Sequence, residues 1–553
     1  MSRVLPNAMV AQAFRKLGIH NDLLEADLPP MVDLGLQKLY GFQHNDGGWG
    51  WWYDDLTDLN QTAYVLFGLA MTEQAGFGVD DSVLQRGADA LRGLLPRADP
   101  RAQAYGFYVL AMAGQPVSLT LSVTDALSLD LFSQAALAIT LDAAGDRTGT
   151  QVLLDNLREA SLQDTRTVHW SDPGDNTSYS RKVMGSTVRT TAMVADALAR
   201  LDPESPLLPG AARWLMGQRQ GQGWGDTQKT SFAILALTDY LLASQELDAG
   251  SAFQIYVNDE LWQAGALEPA GAGPTLILTY TTTPGVQQIA ATGESIGAGA
   301  VVTAGEAVST TGSITVGEEI TTGESITASA AITVVEGALA SEPITASQVT
   351  TAAGITSPGQ LRPGENLIRV LLGAPGKEPS GRLYYAVTVS TYRTPGEGAV
   401  PALQAHERSI GVEREYRLHG SQAPATSFQP GDLVEVRLTL DVPAEAWYVV
   451  ADDPLPAGFE ALNERLGTTS HLATVYEEPV FYWQEYGYNR KEVRDERVTF
   501  FINQFMPGRH TYTYLMRATT AGSFTALPTQ VYPMYEPEVW SRSESLHVEI
   551  KPR

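Results

Sequence analysis

One pattern limits what this chain can fold into: a glycine–tryptophan turn that occurs twice, each time just before an apolar run of helix length. The first copy is Gly41-Phe42-Gln43-His44-Asn45-Asp46-Gly47-Gly48-Trp49-Gly50-Trp51-Trp52, followed by Thr62–Ala70. The second is Gln218-Arg219-Gln220-Gly221-Gln222-Gly223-Trp224-Gly225-Asp226-Thr227, followed by Ser231–Leu237. In both, a Gln stands seven positions before the Gly that follows Trp. Such self-similarity marks an array of helical hairpins. The glycines supply backbone that other residues resist, and each indole offers about 150–250 Å² of surface to wedge between neighbouring hairpins. The turn residues Gly47, Gly48, Trp49, Gly50, Trp51, Gly223, Trp224 and Gly225 are therefore expected to act structurally.

The helical pattern runs from residue 1 to about 247. Val4, Leu5, Ala8, Met9, Gln12, Ala13 and Leu17 keep a period near 3.6, and Gly18 ends that helix. Further helices are expected at Met31–Tyr40, Gln61–Met71, Val83–Leu94, Arg101–Ala113, Asp130–Ala144, Gly149–Ser161, Val188–Leu201, Gly210–Met216 and Thr230–Ser244. Closely spaced helices with small residues on their packing faces, such as Ala102, Ala104 and Gly106, predict an α/α toroid.

Past residue 248 the pattern changes to strands. Residues 248–395 form one expected β-domain, with strands at Phe253–Val257, Leu276–Tyr280, Asn366–Leu372 and Arg382–Tyr392. It carries a biased insertion at 284–358, built from Thr, Ser, Ala, Gly, Ile, Val and Glu; no Lys, Arg or aromatic residue occurs between Tyr280 and Arg362. Such a composition buries little, so the insertion is expected to be flexible or loosely β-structured. Residues 396–553 form a second β-domain, an antiparallel sandwich in which Val434, Val436, Leu438 and Leu440 share one face. The expected architecture is thus a multidomain α plus β chain: an α/α toroid followed by two antiparallel β-sandwich-like domains.

Several function classes drop out. The net charge of −26 opposes nucleic-acid binding, which needs a basic footprint. The absence of Cys excludes disulfides, thiolate metal sites and Cys nucleophiles. No apolar run is long enough for a transmembrane span. His44 and His169 lack metal-ligand spacing and read as structural or surface residues. Asp54, Asp55 and Asp58 read as a solvated turn with a helix cap. No catalytic residue, cofactor or metal is expected.

Three stretches carry a resemblance: Gly47–Trp51; His169-Trp170 with Thr190-Thr191-Ala192; and Trp214-Leu215 with Gly223–Thr230. Together they resemble the thioester domain of bacterial α2-macroglobulins. The strands at 253–257, 361–370 and 382–392 look like the later part of the flanking CUB-like domain. The runs Val449–Phe459 and Val531–Val539 look like the family's terminal macroglobulin-type domain. Met1–Asn7 resembles the segment that closely follows the family's Cys-x-Glu-Gln thioester motif, so the resemblance implies a C-terminal portion whose toroid lacks its start. It further implies a non-catalytic scaffold of a broad-spectrum protease trap, with proteases and the missing N-terminal macroglobulin domains as partners, and export to the periplasm or cell surface. A fragment with uncovered apolar faces is expected to melt low or aggregate.

Three other readings share parts of the pattern. Triterpene cyclases also place Gln-x-x-x-Gly-x-Trp turns before helices, but need an Asp-x-Asp-Asp that Asp54-Asp55-Leu56-Thr57-Asp58 does not supply, and an aromatic cavity that Ala- and Leu-rich helices do not promise. A polysaccharide lyase could offer only His169 with Tyr179, on the wrong charge balance for acidic sugars. A stand-alone protein-binding module is the third.

Overall fold

The computed structural model describes residues 1, 4–18, 22–171, 178–220, 223–244, 251–257, 260–267, 300–307, 312–316, 331–338, 365–372, 383–389, 410–462, 487–536 and 539–552. The chain divides into two compact units, one of residues 1–175 and 185–393, the other of 176–184 and 394–553.

The helices are α1 (Leu5–Leu17), α2 (Asp22–Gly41), α3 (Leu59–Gln74), α4 (Asp81–Leu94), α5 (Pro100–Met112), α6 (Val123–Ala126), α7 (Leu131–Ala143), α8 (Arg147–Glu159), α9 (Ser178–Lys182), α10 (Thr187–Leu201), α11 (Leu208–Gly217) and α12 (Thr227–Ser244). A two-stranded ladder, β1 (Leu162–Gln163) with β2 (Val168–His169), follows α8. Six helices form an inner ring in the order α1, α3, α5, α7, α10, α12, and α12 packs back onto α1. The inner ring closes on itself, with Leu5 and Met9 of α1 buried.

Inner helices are apolar on most sides: Gln61 to Thr72 of α3 and Phe132 to Leu141 of α7 are buried without a break. Outer helices are amphipathic, as α4 and α8 show by burying only Val83, Leu84, Gly87, Ala88 and Leu91, and Gly149, Thr150, Leu153, Leu154 and Leu157. Starts are fixed by side-chain caps: Asp58, Asp80, Asp99, Asp130, Asp146 and Ser186 each accept from backbone N–H groups of the helix they precede. Gly18 closes α1 at φ 65°.

The sequence pattern misplaced one start. Helix α2 begins at Asp22 rather than Met31 and carries Pro29 and Pro30 inside it. Both prolines lie on the exposed side, as does Ala26, so water can take carbonyls that lose their N–H partner. The helices α6 and α9 were unforeseen, since four or five residues show no period.

Within the first unit the later strands are β3 (Ser251–Val257), β4 (Glu260–Leu267), β5 (Ala300–Ala307), β6 (Gly312–Val316), β7 (Ala331–Ala338), β8 (Glu365–Leu372) and β9 (Leu383–Val389). One sheet has the order β4-β3-β8-β7-β6, with β7 parallel to β8 and the other pairs antiparallel; β5 pairs antiparallel with β9. The described residues of 284–358 are thus strands that extend the neighbouring sheets. Ladder hydrogen bonds and β-branched residues support them where large apolar side chains are few. The expected strand at Leu276–Tyr280 lies outside the described residues.

In the second unit the strands are β10 (Gly411–Leu418), β11 (Ser427–Phe428), β12 (Leu433–Val442), β13 (Ala446–Pro454), β14 (Phe459–Ala461), β15 (Arg490–Val493), β16 (Arg497–Phe505), β17 (Gly508–Ala518), β18 (Gly522–Ala526), β19 (Gln530–Pro533), β20 (Ser541–Arg542) and β21 (Leu546–Ile550). They form sheets β10-β12-β17-β14, β15-β16-β13-β19-β20 and β11-β21-β18. Val434, Val436, Leu438 and Leu440 of β12 all point into the core with Val449, Phe500, Ile502, Tyr512 and Tyr514. Inside that core Arg414 donates to Asp453 at 2.6 Å, and Tyr514 and Thr529 donate to the same carboxylate at 2.8 and 2.9 Å.

Candidate functional site

The turns that the sequence singles out share one geometry, and it occurs three times. In the first copy, the Trp49 backbone N–H donates to Thr62 Oγ1 at 3.0 Å, and that hydroxyl donates to the Trp49 carbonyl at 3.2 Å. The Trp49 indole N–H donates to the Leu39 carbonyl at 2.9 Å. In the second, Trp170 N–H and C=O bracket Thr191 Oγ1 at 3.0 and 3.2 Å, and the indole reaches the Leu157 carbonyl at 2.6 Å. In the third, Trp224 N–H donates to Thr230 Oγ1 at 3.0 Å and the indole to the Leu215 carbonyl at 2.5 Å.

Leu39, Leu157 and Leu215 each lie two residues before the end of an outer helix, while the threonines lie in the opening turns of inner helices. Each tryptophan therefore donates to a carbonyl in the last turn of an outer helix, where Leu39 and Leu215 also accept a backbone N–H, and ties it to the first turns of the next inner helix. The burial of Trp49 and Trp170, at 1% and 0% exposure, makes those bonds costly to lose.

The glycines leave room for this joint. Gly47 sits at φ 90°, and a Cβ there would come within 2.5 Å of the Arg86 carbonyl. A Cβ on Gly48 would strike Thr57 and lie 3.0 Å from Thr62 Oγ1; one on Gly223 would lie 2.8 Å from Thr230 Oγ1. Gly50 faces the Asp55 carboxylate, which accepts from the Trp51 N–H at 2.9 Å, and Gly225 sits at φ 92°. Trp51 is half-buried, so in the first copy only Trp49 forms the wedge. The Gln43 amide ties the turn to its surroundings, donating to the carbonyls of Gly47 and Val83 at 2.9 Å.

The other sequence candidates fall as follows. Asp58 caps α3 through the Gln61 N–H at 3.0 Å, Asp54 is exposed, and burial raises the Asp55 carboxyl above its ordinary range. His44 lies between Thr57 Oγ1 at 2.9 Å and the Trp52 carbonyl at 3.0 Å. His169 stacks on Trp214 with centroids 4.9 Å apart, and Tyr179 belongs to the 176–184 segment of the second unit.

An aromatic centre was not anticipated. Phe67, Tyr105, Tyr108, Phe132 and Phe232 meet in the middle of the ring at centroid distances of 5.4–6.3 Å, and Arg189 stacks over Phe132 at 3.9 Å. These rings pack on one another and are buried in the main helical core. Their signal was present as single aromatics in Ala-rich helices, and only ring closure brings them together.

A closed ring of inner helices with indole-tied turns, followed along the chain by an antiparallel sandwich, defines a class: thioester-domain toroids joined to macroglobulin-type domains. Residues 120–240 match the family model of the A-macroglobulin TED domain, and residues 410–538 that of the bacterial alpha-2-macroglobulin MG10 domain. These two matches place a TED-type domain and a bacterial MG10-type domain on one chain and support the bacterial alpha-2-macroglobulin family.

It is 32% identical over 242 residues to alpha-2-macroglobulin of Thermotoga maritima, a match covering 43% of this chain and 13% of that one. It is 26% identical over 182 residues to the alpha-2-macroglobulin homolog of Nostoc, covering 32% of this chain and 9% of that one. Salmonella alpha-2-macroglobulin reacted with methylamine shares its fold with a TM-score of 0.60 at 17% identity, over 99% of this chain and 30% of that one. Native alpha-2-macroglobulin of Escherichia coli, from domain MG7 to the C-terminus, does so with 0.57 at 16%, over 99% and 72%. The chain thus spans only a small part of the curated relatives it matches. No helix among the described residues is long and apolar enough to cross a membrane.

Proposed function

We propose that this chain is the C-terminal scaffold of an α2-macroglobulin-type protease trap. The observation that carries the reading is the order of parts on one chain: a TED-type toroid, then strands, then an MG10-type sandwich. In such a trap a protease cuts a bait segment, the protein rearranges, and an internal thioester acylates a lysine of the protease. A thioester needs a cysteine sulfur and this chain has none, so the covalent step falls outside these 553 residues. The chain's own contribution is to shelter and present the bond, and it acts as no enzyme. Proteases are its partners through the parent protein, and the periplasm or cell surface is its place.

The test extends the chain upstream in its own reading frame to include the expected Cys-x-Glu-Gln, then exposes it to trypsin. The reading expects an adduct that survives denaturing electrophoresis and that pretreatment with methylamine abolishes. A frame without the motif, or a motif-bearing protein that forms no adduct, overturns it.

A further inference from the structure

The inner ring closes through a partly buried ionic cluster that the protease-trap reading does not use. At the C-terminal ends of α1, α10 and α12, Lys16 Nζ contacts Asp239 Oδ1 at 2.6 Å, across 223 positions of sequence. Arg200 Nη2 contacts Asp239 Oδ2 at 2.9 Å, and Arg200 Nε donates to Asp196 Oδ1 at 2.9 Å. Asp196 is 1% exposed, and its Oδ2 has no hydrogen-bond partner among the described residues.

We propose that this cluster is a protonation-dependent clasp on the seam between α1 and α12: it holds the ring shut while Asp196 carries a proton and loosens when that proton leaves. The charges around it make the case. Asp239 already has its two oxygens committed to Lys16 and Arg200. A second carboxylate at Asp196 would be buried beside it, with Arg200 shared between the two.

The elements packed around α10 present the following groups. Helix α5 presents the buried Tyr108 hydroxyl, which stays neutral because burial raises its pKa well above the ordinary value. Helix α7, on the other flank of α10, ends near Asp142, which is exposed. From α8, Arg158 pairs with Asp202 just past α10 at 2.8 Å, and Arg213 of α11 donates to the Arg166 carbonyl. No other cation therefore compensates Asp196 among the described residues. Burial is the main cause that lifts the Asp196 carboxyl to about 7; Arg200 opposes the lift and Asp239 adds to it.

The experiment compares the full chain with Asp196→Asn, which copies the protonated carboxyl in shape and charge, between pH 5 and 9. Hydrogen exchange of α1 and α12 peptides, corrected for intrinsic rates, is the readout. Since each pKa unit is a factor of about ten in the equilibrium, α1 exchange in the parent chain should accelerate at least about tenfold through a midpoint near neutrality. Asp196→Asn should stay flat. Asp239→Asn, which removes the adjacent negative charge, should move the midpoint to lower pH. Parallel profiles in the parent chain and Asp196→Asn would overturn the proposal, as would an unmoved midpoint in Asp239→Asn. A rise in exchange spread evenly over all helices would overturn it too, because it would place the effect elsewhere than the seam.

Discussion

Threonine to valine at the three tryptophan joints should destabilise the toroid by amounts that follow the hydrogen bonds lost. The change keeps β-branching and volume and deletes only the hydroxyl. In Thr191→Val the Trp170 N–H and C=O both lose their partner in a site where both residues are fully buried. An unsatisfied buried group costs about 1–3 kcal/mol, so the loss should be about 2–4 kcal/mol. In Thr62→Val the Trp49 N–H is orphaned, but the Trp49 carbonyl keeps the Asp58 N–H at 3.0 Å. The expected loss is about 1–3 kcal/mol. In Thr230→Val one bond goes at a half-buried residue, where water can substitute, and about 1 kcal/mol is expected. Urea unfolding by far-UV circular dichroism, which reports the helical unit, measures all three as midpoint shifts at unchanged slope. A Thr191→Val shift worth under about 0.5 kcal/mol, within the range of surface substitutions, would refute the reasoning. So would a Thr230→Val loss exceeding that of Thr191→Val.

Gly47→Ala should cost at least about 2 kcal/mol, since the backbone is left-handed and the new Cβ meets the Arg86 carbonyl. Gly145→Ala, at φ 84° with open space around it, isolates the backbone part at about 1 kcal/mol; equal losses in urea titrations would count against the clash. In the sandwich, Asp453→Ala should cost about 3–5 kcal/mol by leaving the buried Arg414 guanidinium without its counter-charge. Pairing Asp453→Leu with Arg414→Met should recover part of that loss, and a double variant less stable than Asp453→Ala would show the pair to be favourable in itself. The linkage sign at Asp196 is set by a folded-state pKa raised to about 7 from an ordinary 3.8. Its contribution is fully present below about pH 4 and is lost as pH rises through 7, so Asp196→Asn should gain stability relative to the parent chain across that window.

What was legible in the sequence depended on how local its cause was. The β12 face could be read because alternation over nine residues decides which side chains point inward. The inner helices could be read from their length and apolar content. The joints were half visible: Gly48-Trp49 and Gly223-Trp224 announced themselves, but their partner threonines did not, because the distance from Trp to Thr is set by loop length. The second joint had no glycine before its tryptophan, where His169 stands instead. The ionic clasp was invisible, since Lys16, Asp196, Arg200 and Asp239 each look like an ordinary helix charge until the ring brings α1 beside α12. The α2 start at Asp22 lies upstream of Pro29 and Pro30, which a helix tolerates where the freed carbonyls face water.

The constancy of the joint against the variability of its loop explains how one ring tolerates insertions. Trp and Thr are separated by 13 residues in the first joint, 21 in the second and 6 in the third, yet the N–H to hydroxyl distance is 3.0 Å in each. The joint fixes the chain on both sides of whatever lies between. Closing a longer loop adds only slowly to the entropy cost, about 0.6 kcal/mol per doubling, so the length between the two anchors is nearly free to change. The longest of the three is the one that contains residues 176–184, the stretch that groups with the second unit. That argument predicts where insertions should be accepted: between the anchors of a joint, at little cost to the midpoint of helical unfolding. By contrast Trp170→Phe, which removes the indole N–H that donates to the buried Leu157 carbonyl, should lower that midpoint.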